Sequence, residues 1–210
     1  MKTAVAMINF FKRYQNAILY GAIIIASFLG VALIIYATNY GPWVFSDSTT
    51  YIWTAINFAD GRGLVIQNPG GGYDLLTWHE PLFSLMLSIQ IVFGADPLQS
   101  VRWLNALSFG VTIFLSGVAT WRFTRSFLAS LAVTALSLFA LDLIYVFSGA
   151  MSEAVFFVLG FSALFLLVES LRSNKKKWLV VAGILAGLSY LARYTGIAVV
   201  GVVILIPMLY

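Results

Sequence analysis

The sequence predicts an all-α membrane protein, a polytopic bundle in which about six helices cross the bilayer. Sixty-one per cent of the 210 residues are hydrophobic and 10% are charged, and the mean hydropathy is +0.94, far from the values of soluble domains. Apolar runs near the ~20 residues that a helix needs to cross a bilayer recur along the chain. The basic residues adjoin these runs, so we attribute the net charge of +4 to membrane topology and exclude nucleic-acid binding.

The ends of the chain give two further expectations. Residues 17–38 form an apolar run that is too long for the core of a signal peptide, and no A-x-A cleavage site follows it. We therefore expect an uncleaved first span. The chain stops at Tyr210 inside an apolar stretch, which predicts that residues 1–210 are a single transmembrane domain truncated at its C-terminus. The absence of cysteine excludes disulfides and thiolate metal sites.

Helix length and polar interruptions divide the rest of the chain. The expected spans are residues 17–38, 98–121, 127–146, 151–171, 178–192 and 195–210. A polar cluster between Asp142 and Glu153 marks one turn, and the sequence from Arg193 to Gly196 marks another. Residues 81–93 would make only about 20 Å of helix. We expect this short helix, which Pro81 can start, to lie in the interface or to re-enter the membrane.

This arrangement places most basic residues on one side of the membrane. The larger group comprises Lys2, Lys12, Arg13, Arg122, Arg125, Arg172, Lys175, Lys176 and Lys177. The other side receives Arg62, Arg102 and Arg193. The positive-inside rule then predicts a multi-pass protein of the plasma or cytoplasmic membrane, with its N-terminus in the cytoplasm and residues 39–97 as an external loop.

The external loop concentrates the acidic side chains. Five of the eight acidic residues lie in the polar segment 45–81 or soon after it, namely Asp47, Asp60, Asp74, Glu80 and Asp96. Residues 48–60 have the apolar spacing of an amphipathic helix, which we expect to lie along the outer membrane surface next to the short helix that begins at Pro81.

Asp47 is the candidate catalytic carboxylate. It follows the first span and opens the amphipathic helix, where a lipid head group would meet water and where a hydroxyl acceptor would need a base. The alternative is that Ser46 or Asp47 only caps the helix. Tyr51, four residues later, lies on the same helical face and could shape a substrate pocket, although an interfacial tyrosine would also explain it.

His79 and Glu80 bring an imidazole and a carboxylate to the start of the short helix. Both are metal-ligand types, but two adjacent side chains do not make a metal site. The sequence identifies no metal-binding residues, and a divalent metal stays an open alternative as cofactor. Helix capping is the alternative role for Glu80, and an interfacial position is the alternative for His79.

Arg102 and Arg193 lie within or beside apolar helices on the outer side. An arginine in such a place usually faces a cavity, a carboxylate or a phosphate. We expect one or both to bind the phosphate of a lipid substrate, and snorkelling to head groups is the alternative. Asp142 and Glu153 flank an outer turn and could pair with these arginines; Glu153 is the better candidate for a site.

The order of these motifs resembles a known family. One span, then SDSTTYIWTAINFADGRG, HEPLFSLMLSIQIVFG and DPLQSVRWLNALSFGVTIFLSGVATWR, is similar to the start of the polyprenyl-phosphate-dependent glycosyltransferases of the GT-C superfamily. The protein mannosyltransferase and aminoarabinose transferase type, family 39, is the most similar. MSEAVFFVLGFSALFLL and LAGLSYLARYTGIAVV resemble the fourth to sixth spans of such enzymes. Many members have Asp-Glu where this chain has Asp47-Ser48, and a second proline in place of Glu80.

The resemblance implies an inverting membrane enzyme. It would take a sugar from a polyprenyl-phosphate carrier and pass it to a glycan, lipid or protein acceptor on the external face, with membrane lipids around it. Asp47 matches the family's first-loop aspartate, His79 and Glu80 would lie near the donor phosphate, and Arg102 and Arg193 would neutralise it. The alternative is a non-catalytic polytopic subunit of a lipid or glycan transporter. The scarcity of midplane charges and the absence of an internal repeat favour the enzyme.

Overall fold

The computed structural model describes residues 2–209, with side chains from Tyr14 to Leu209, and it confirms a mainly helical protein. The α-helices are α1 Lys2–Ala37, α2 Ser46–Ala59, α3 Pro81–Val92, α4 Pro97–Thr124, α5 Phe127–Phe139, α6 Leu141–Phe147, α7 Glu153–Ser173, α8 Lys176–Ala192 and α9 Ile197–Leu209. A 3₁₀ turn, Tyr194–Gly196, joins α8 to α9. Two short strands, β1 Val65–Gln67 and β2 Tyr73–Leu75, form an antiparallel hairpin.

Three helices of the described chain are long and apolar enough to cross a membrane. They are Tyr14–Ala37, Pro97–Thr124 and Glu153–Ser173. A fourth span is added if α5 and α6, which meet at a bend of 54°, count as one broken span. The structure thus supports a membrane protein with three or four such helices. It does not establish the six predicted, because α8 and α9 have only 17 and 13 residues.

Most helix boundaries follow local sequence signals. Pro97 opens α4, and the Asp96 carboxylate accepts a hydrogen bond from the Gln99 N–H at 3.0 Å, as an N-cap residue does. Gly94, with φ of 86°, ends the preceding helix in the left-handed conformation that glycine adopts freely. The polar cluster before Glu153 and the break after Ala192 were both predicted. The break at Ala140, between α5 and α6, was not.

Close helix contacts in the bundle depend on small residues. Helices α1 and α4 pack along their length around Ile34, Phe109 and Ile113, each fully buried. A Cβ on Gly110 would meet the Val31 side chain and lie 3.0 Å from the Ser27 carbonyl oxygen. Glycine is therefore what allows these two helices to approach, as small residues do in membrane interfaces.

The two ends of the bundle differ in charge. At one end the Arg122 guanidinium makes two hydrogen bonds to the Glu169 carboxylate, of 3.1 and 2.5 Å, and Arg172 donates to the Arg122 carbonyl oxygen. Lys175–Lys177 follow Arg172 after two intervening residues. At the other end of the bundle, Arg102 lies near the start of α4 and Glu153 is the first residue of α7. The described basic residues thus have the separation that the sequence predicted, while Lys2, Lys12 and Arg13 lie outside the described side chains.

The predicted external loop is a structured cap at the second end. Helix α2 agrees with the predicted amphipathic helix to within two residues and packs on α3 through Tyr51, Ala55, Phe83 and Leu87. The hairpin, which the sequence did not predict, closes through the Asn68 side chain, whose Oδ1 accepts from the N–H groups of residues 70 and 72. The glycine run there has a structural role as a turn.

A short segment before α2 ties this cap to the bundle. The Trp43 N–H donates to the Ser148 carbonyl oxygen and the Trp43 carbonyl oxygen accepts from Ala150, at 3.2 and 2.9 Å. The Trp43 indole stacks on Tyr145 with ring centroids 4.7 Å apart and donates to the Tyr145 carbonyl oxygen. The break between α6 and α7 is therefore bound to the loop that leads into α2.

Candidate functional site

Asp47 lies in the first turn of α2, where its carboxylate is half-buried and accepts a hydrogen bond from the Ser46 hydroxyl at 3.2 Å. Phe45 occupies the N-cap position, and its N–H donates to the Ser48 hydroxyl oxygen. The alternative in which Ser46 or Asp47 is the N-cap is therefore wrong. A carboxylate in the first turn is still stabilised by the positive end of the helix dipole.

Tyr51, one turn further along α2, points into the protein and is only 2% exposed. Its hydroxyl donates to Glu80 Oε2 at 3.2 Å and lies 3.3 Å from the Ser152 hydroxyl oxygen. The edge of its ring faces His79, with centroids 5.2 Å apart. Burial raises the pKa of Tyr51 to about 12, and the nearby Glu80 carboxylate also raises it, while the Ser152 hydrogen bond opposes the shift. Tyr51 is therefore a neutral hydrogen-bond donor at physiological pH.

Glu80 connects this tyrosine to a distant part of the chain. It stands at the N-cap position of α3, but its side chain makes no capping hydrogen bond, so the helix-capping alternative is wrong. Its Oε1 instead accepts a hydrogen bond of 2.5 Å from the backbone N–H of Tyr194. The carboxylate is 8% exposed, and a buried carboxylate is tolerated only when donors satisfy it in this way.

Arg193 and Glu153 form an ion pair at the break between α8 and α9. Arg193 Nη1 lies 2.6 Å from Glu153 Oε1, and the two side chains are 30% and 25% exposed. The second oxygen of Glu153 is buried without a hydrogen-bond partner among the described residues. The break is fixed by Gly196, because a Cβ there would lie 2.5 Å from the backbone of Ser189. The prediction that Glu153 could pair with an outer arginine is confirmed.

Four separate elements therefore meet at one polar cluster, which we call the outer cluster. Its members come from α2, the start of α3, the start of α7 and the α8–α9 break: Tyr51, Glu80, Ser152, Glu153, Arg193 and Tyr194. Two carboxylates and one guanidinium are brought together beside a neutral phenol. Such an arrangement can hold a hydroxyl or an anionic group that reaches it, because charged hydrogen-bonding groups are the strong ones.

Asp47 lies four residues before Tyr51, the member of the outer cluster on α2. The hydroxyl of its neighbour Ser48 donates to Met151 Sδ at 3.5 Å, and residues 152 and 153 belong to the cluster. Among residues 14–209 no salt bridge connects Asp47 to Arg102 or Arg193. Asp47 thus shares α2 with Tyr51 and has no basic partner among these residues.

Arg102 lies apart from the outer cluster and binds the end of α1. Its guanidinium donates to the Ile35 carbonyl oxygen at 2.6 Å, to the Thr38 hydroxyl at 3.2 Å and to the Gln99 side chain at 3.2 Å. Carbonyl groups in the last turn of a helix lack partners within that helix, and a nearby arginine satisfies them. This accounts for Arg102 without a ligand.

The remaining candidates have simpler surroundings. His79 contacts Tyr51 through its ring. Asp142 is exposed in the first turn of α6. Within the part of the chain that the structure describes, no group of three or more His, Asp or Glu side chains is arranged to hold a metal ion.

Sequence reasoning missed two members of the outer cluster and one supporting residue. Ser152 had been named only as part of a polar turn, although its position beside Glu153 was a usable signal. The Tyr194 group that takes part is its backbone N–H, which cannot be identified from a pattern of side chains. Trp43, which supports the start of α2, is hydrogen-bonded to and stacked on Tyr145. No protein-family model, curated protein or solved structure matches the chain.

Proposed function

We propose that this chain is an integral membrane glycosyltransferase of the GT-C type, which transfers a sugar from a polyprenyl-phosphate donor to an acceptor at the external face. The observation that carries the proposal is the outer cluster, in which Arg193, Glu153, Glu80 and Tyr51 meet from four separate elements. Buried and half-buried charges in a membrane protein are costly and usually serve a substrate. The proposed reaction class rests on the order of the sequence motifs, which resembles that of the GT-C enzymes.

In the proposed reaction the acceptor hydroxyl attacks the anomeric carbon of the sugar. The bond between that carbon and the phosphate oxygen breaks, and the new glycosidic bond forms on the opposite face, which gives inversion. Asp47 accepts the proton of the attacking hydroxyl as general base. The polyprenyl phosphate leaves with the electron pair of the broken bond, so a cation beside it stabilises the charge that develops.

Arg193 is the arginine best suited to that leaving phosphate. Its Nη1 is committed to Glu153, which orients the guanidinium, and the opposite edge retains donors for a phosphate oxygen, since a guanidinium carries five N–H groups. Three nitrogen atoms of the Arg102 guanidinium already donate hydrogen bonds, to Ile35, Thr38 and Gln99. We therefore assign donor binding to Arg193 and leave Arg102 a supporting role.

Donor binding can be measured without knowing the sugar. The protein in nanodiscs is irradiated with a polyprenyl phosphate that carries a benzophenone, and cross-linking is compared between wild type and Arg193→Gln. We expect a loss of about tenfold or more, since hydrogen bonds to charged groups contribute ~1.5–3 kcal/mol. Glu153→Gln, which breaks the ion pair but retains the guanidinium, should retain most cross-linking.

Arg62→Gln is the matched control, because Arg62 is a basic residue predicted on the same side of the membrane as Arg193, with its own exposed partner, Asp60. Equal cross-linking of wild type and Arg193→Gln would overturn the donor assignment. Equal losses in Arg193→Gln and Arg62→Gln would show attraction by general charge instead of a site.

The proposal also requires a defined orientation. The chain contains no cysteine, so Asp74→Cys and Lys176→Cys each introduce a unique thiol. We propose that Asp74 lies outside and Lys176 in the cytoplasm, with the N-terminus cytoplasmic. An impermeant maleimide added to intact cells should label the first variant and not the second. Labelling of residue 176 from outside would overturn the shared external face.

A transporter subunit is the second candidate, and one feature favours it. Helices α8 and α9 form an interrupted pair with Arg193 at the break, and broken helices with ionisable residues are typical of transporter sites. The two candidates differ in products. In vesicles, a transporter would move the lipid-linked sugar across the membrane and leave it intact, whereas the transferase would release free polyprenyl phosphate.

A further inference from the structure

A second feature of the cap lies on the face of α2 that looks away from the outer cluster. Thr49 and Trp53 are one helical turn apart. Because each residue turns the helix by about 100°, they lie about 200° around its axis from Tyr51 and Ala55. Together with the hairpin they line a groove of ≈ 440 Å³. The groove is lined by Thr49, Thr50, Trp53, Ile66, Gln67, Asn68 and Pro69. Its size is within the ~300–1,000 Å³ range of small-molecule sites.

The chemistry of this groove selects a neutral, polyhydroxylated ligand. Lysine, arginine, aspartate and glutamate are missing from the lining residues, so phosphates and other ions have no charged partner there. The walls offer two hydroxyls and two carboxamides, which both donate and accept hydrogen bonds. Trp53 contributes an indole that is 54% exposed, a flat apolar surface on which the C–H face of a pyranose ring can stack.

The polar groups of the groove keep capacity for a ligand. The Thr49 hydroxyl donates to the Ser46 carbonyl oxygen and can still accept. Asn68 uses its Oδ1 to close the hairpin turn, which fixes that wall. Thr50 and Gln67 have no side-chain hydrogen bond in the described chain that would need to be broken first. An exposed aromatic surface beside polar groups that are free to bind suits a saccharide, because few contacts within the protein must break first.

The catalytic candidate lies about one helical turn before a lining residue of the groove. Thr50 is three residues after Asp47, and residues at this spacing are neighbours on a helix surface. Asp47 is therefore a neighbour of Thr50 on the surface of α2, next to the groove. A chain seated on Trp53 could extend past Thr50 and present its terminal hydroxyl to Asp47.

We propose that this groove binds the acceptor and that the acceptor is a saccharide, of which two or more units occupy the space between α2 and the hairpin. This inference rests on the proposed transferase function and adds the acceptor class to it. Trp53 stacks on one sugar ring, Thr50 and Gln67 bind hydroxyls, and the non-reducing end lies toward Asp47.

Saturation-transfer NMR with the protein in nanodiscs tests the proposal without any donor. The probes are mannotetraose, maltotetraose and chitotetraose. We expect at least one to bind to wild type, with affinity reduced about fivefold or more in Trp53→Ala, as when an aromatic anchor is removed from a binding site. Trp53→Phe should restore part of the affinity, and Thr50→Val with Gln67→Leu should weaken it further.

Trp103→Ala is the matched control, because Trp103 is 51% exposed on α4, outside the groove. Failure of all three probes to bind to wild type, or equal affinity of wild type and Trp53→Ala, would overturn the proposal. So would quenching of Trp53 fluorescence by brominated lipid chains as strong as that of Trp103, which would assign Trp53 to the lipid interface. Because no donor is present, these outcomes are independent of donor cross-linking and sugar transfer, on which the proposed function stands.

Discussion

The Glu80 carboxylate accepts a 2.5 Å hydrogen bond from the backbone N–H of Tyr194, a residue 114 positions further along the chain. Through its other oxygen Glu80 also binds the Tyr51 hydroxyl. One side chain thus joins α2, the start of α3 and the α8–α9 break. The outer cluster depends on this link, because it fixes where the break, and with it Arg193, lies relative to α2.

Replacement of Glu80 should destabilise the protein more than replacement of an exposed carboxylate. Glu80→Ala removes two hydrogen bonds to a charged group, each contributing about 1.5–3 kcal/mol, so we expect the free energy of unfolding to fall by about 3–6 kcal/mol. Glu80→Gln retains one acceptor oxygen and should lose about 1 kcal/mol. Denaturation in mixed micelles measures both. Asp142→Asn, at an exposed site, should change stability by less than about 0.5 kcal/mol; an equal effect at both positions would refute the linking role of Glu80.

The Arg193–Glu153 ion pair should be energetically coupled. In a double-mutant cycle with Arg193→Gln and Glu153→Gln we expect a coupling energy of about 1–2 kcal/mol, because the two groups are close and partly shielded from solvent. The exposed pair Arg62–Asp60, with side chains 45% and 46% exposed, provides the comparison and should give about 0.5 kcal/mol. Coupling that is no larger at Arg193–Glu153 than at Arg62–Asp60 would mean that Glu153 does not orient the guanidinium.

Tyr51 should make stability depend on pH at the alkaline end. Its pKa is raised in the folded protein to about 12 from 10.0, so above pH 10 the unfolded chain loses this proton while the folded protein retains it. The contribution to stability is therefore complete below pH 10 and is lost as the pH rises from about 10 to about 12. Tyr51→Phe should remove this part of the pH dependence. An alkaline stability profile identical in wild type and variant would contradict the buried, hydrogen-bonded phenol.

Gly149 should not tolerate a side chain. A Cβ at this position would overlap the Trp43 ring, so Gly149→Ala must displace the indole from Tyr145 or move the backbone. We expect a loss of about 1–3 kcal/mol of stability, as for overpacked sites. Gly183→Ala on α8 is the control, because its Cβ would meet nothing within 4 Å. There the helix should gain about 0.5–1 kcal/mol. A stable Gly149→Ala with unchanged Trp fluorescence would disprove the Trp43 contact.

The features that the sequence could predict are those with local signals. Asp96 and Pro97 mark the start of α4, the apolar spacing after Ser48 marks α2, and Arg193 to Gly196 interrupts an apolar run that is too long for one helix. Each signal acts within a few residues, through capping, periodicity or the cost of charge in lipid. These elements appear in the structure where they were expected, to within a few residues.

The features that the sequence could not predict depend on contacts between distant residues. Glu80 carries the same capping signal whether it caps α3 or reaches Tyr194, and the choice is made by how α3 packs on α8. The strands of the hairpin have three residues each, too few for a recognisable alternation. Ala140 carries no breaker signal, so the bend between α5 and α6 could not be predicted. The six predicted spans are not confirmed, because α8 and α9 have only 17 and 13 residues.

The central claim is that Asp47 accepts a proton during sugar transfer from a polyprenyl phosphate. Its most direct test is the rate at which membranes containing the protein release polyprenyl phosphate from labelled polyprenyl-phosphate sugars. We predict that Asp47→Asn lowers this rate by about 10²–10⁴-fold, the usual contribution of a general base, while Asp142→Asn, at an exposed site on α6, leaves it unchanged. Transfer by Asp47→Asn at the wild-type rate, or the absence of any release by the wild type, would contradict the account.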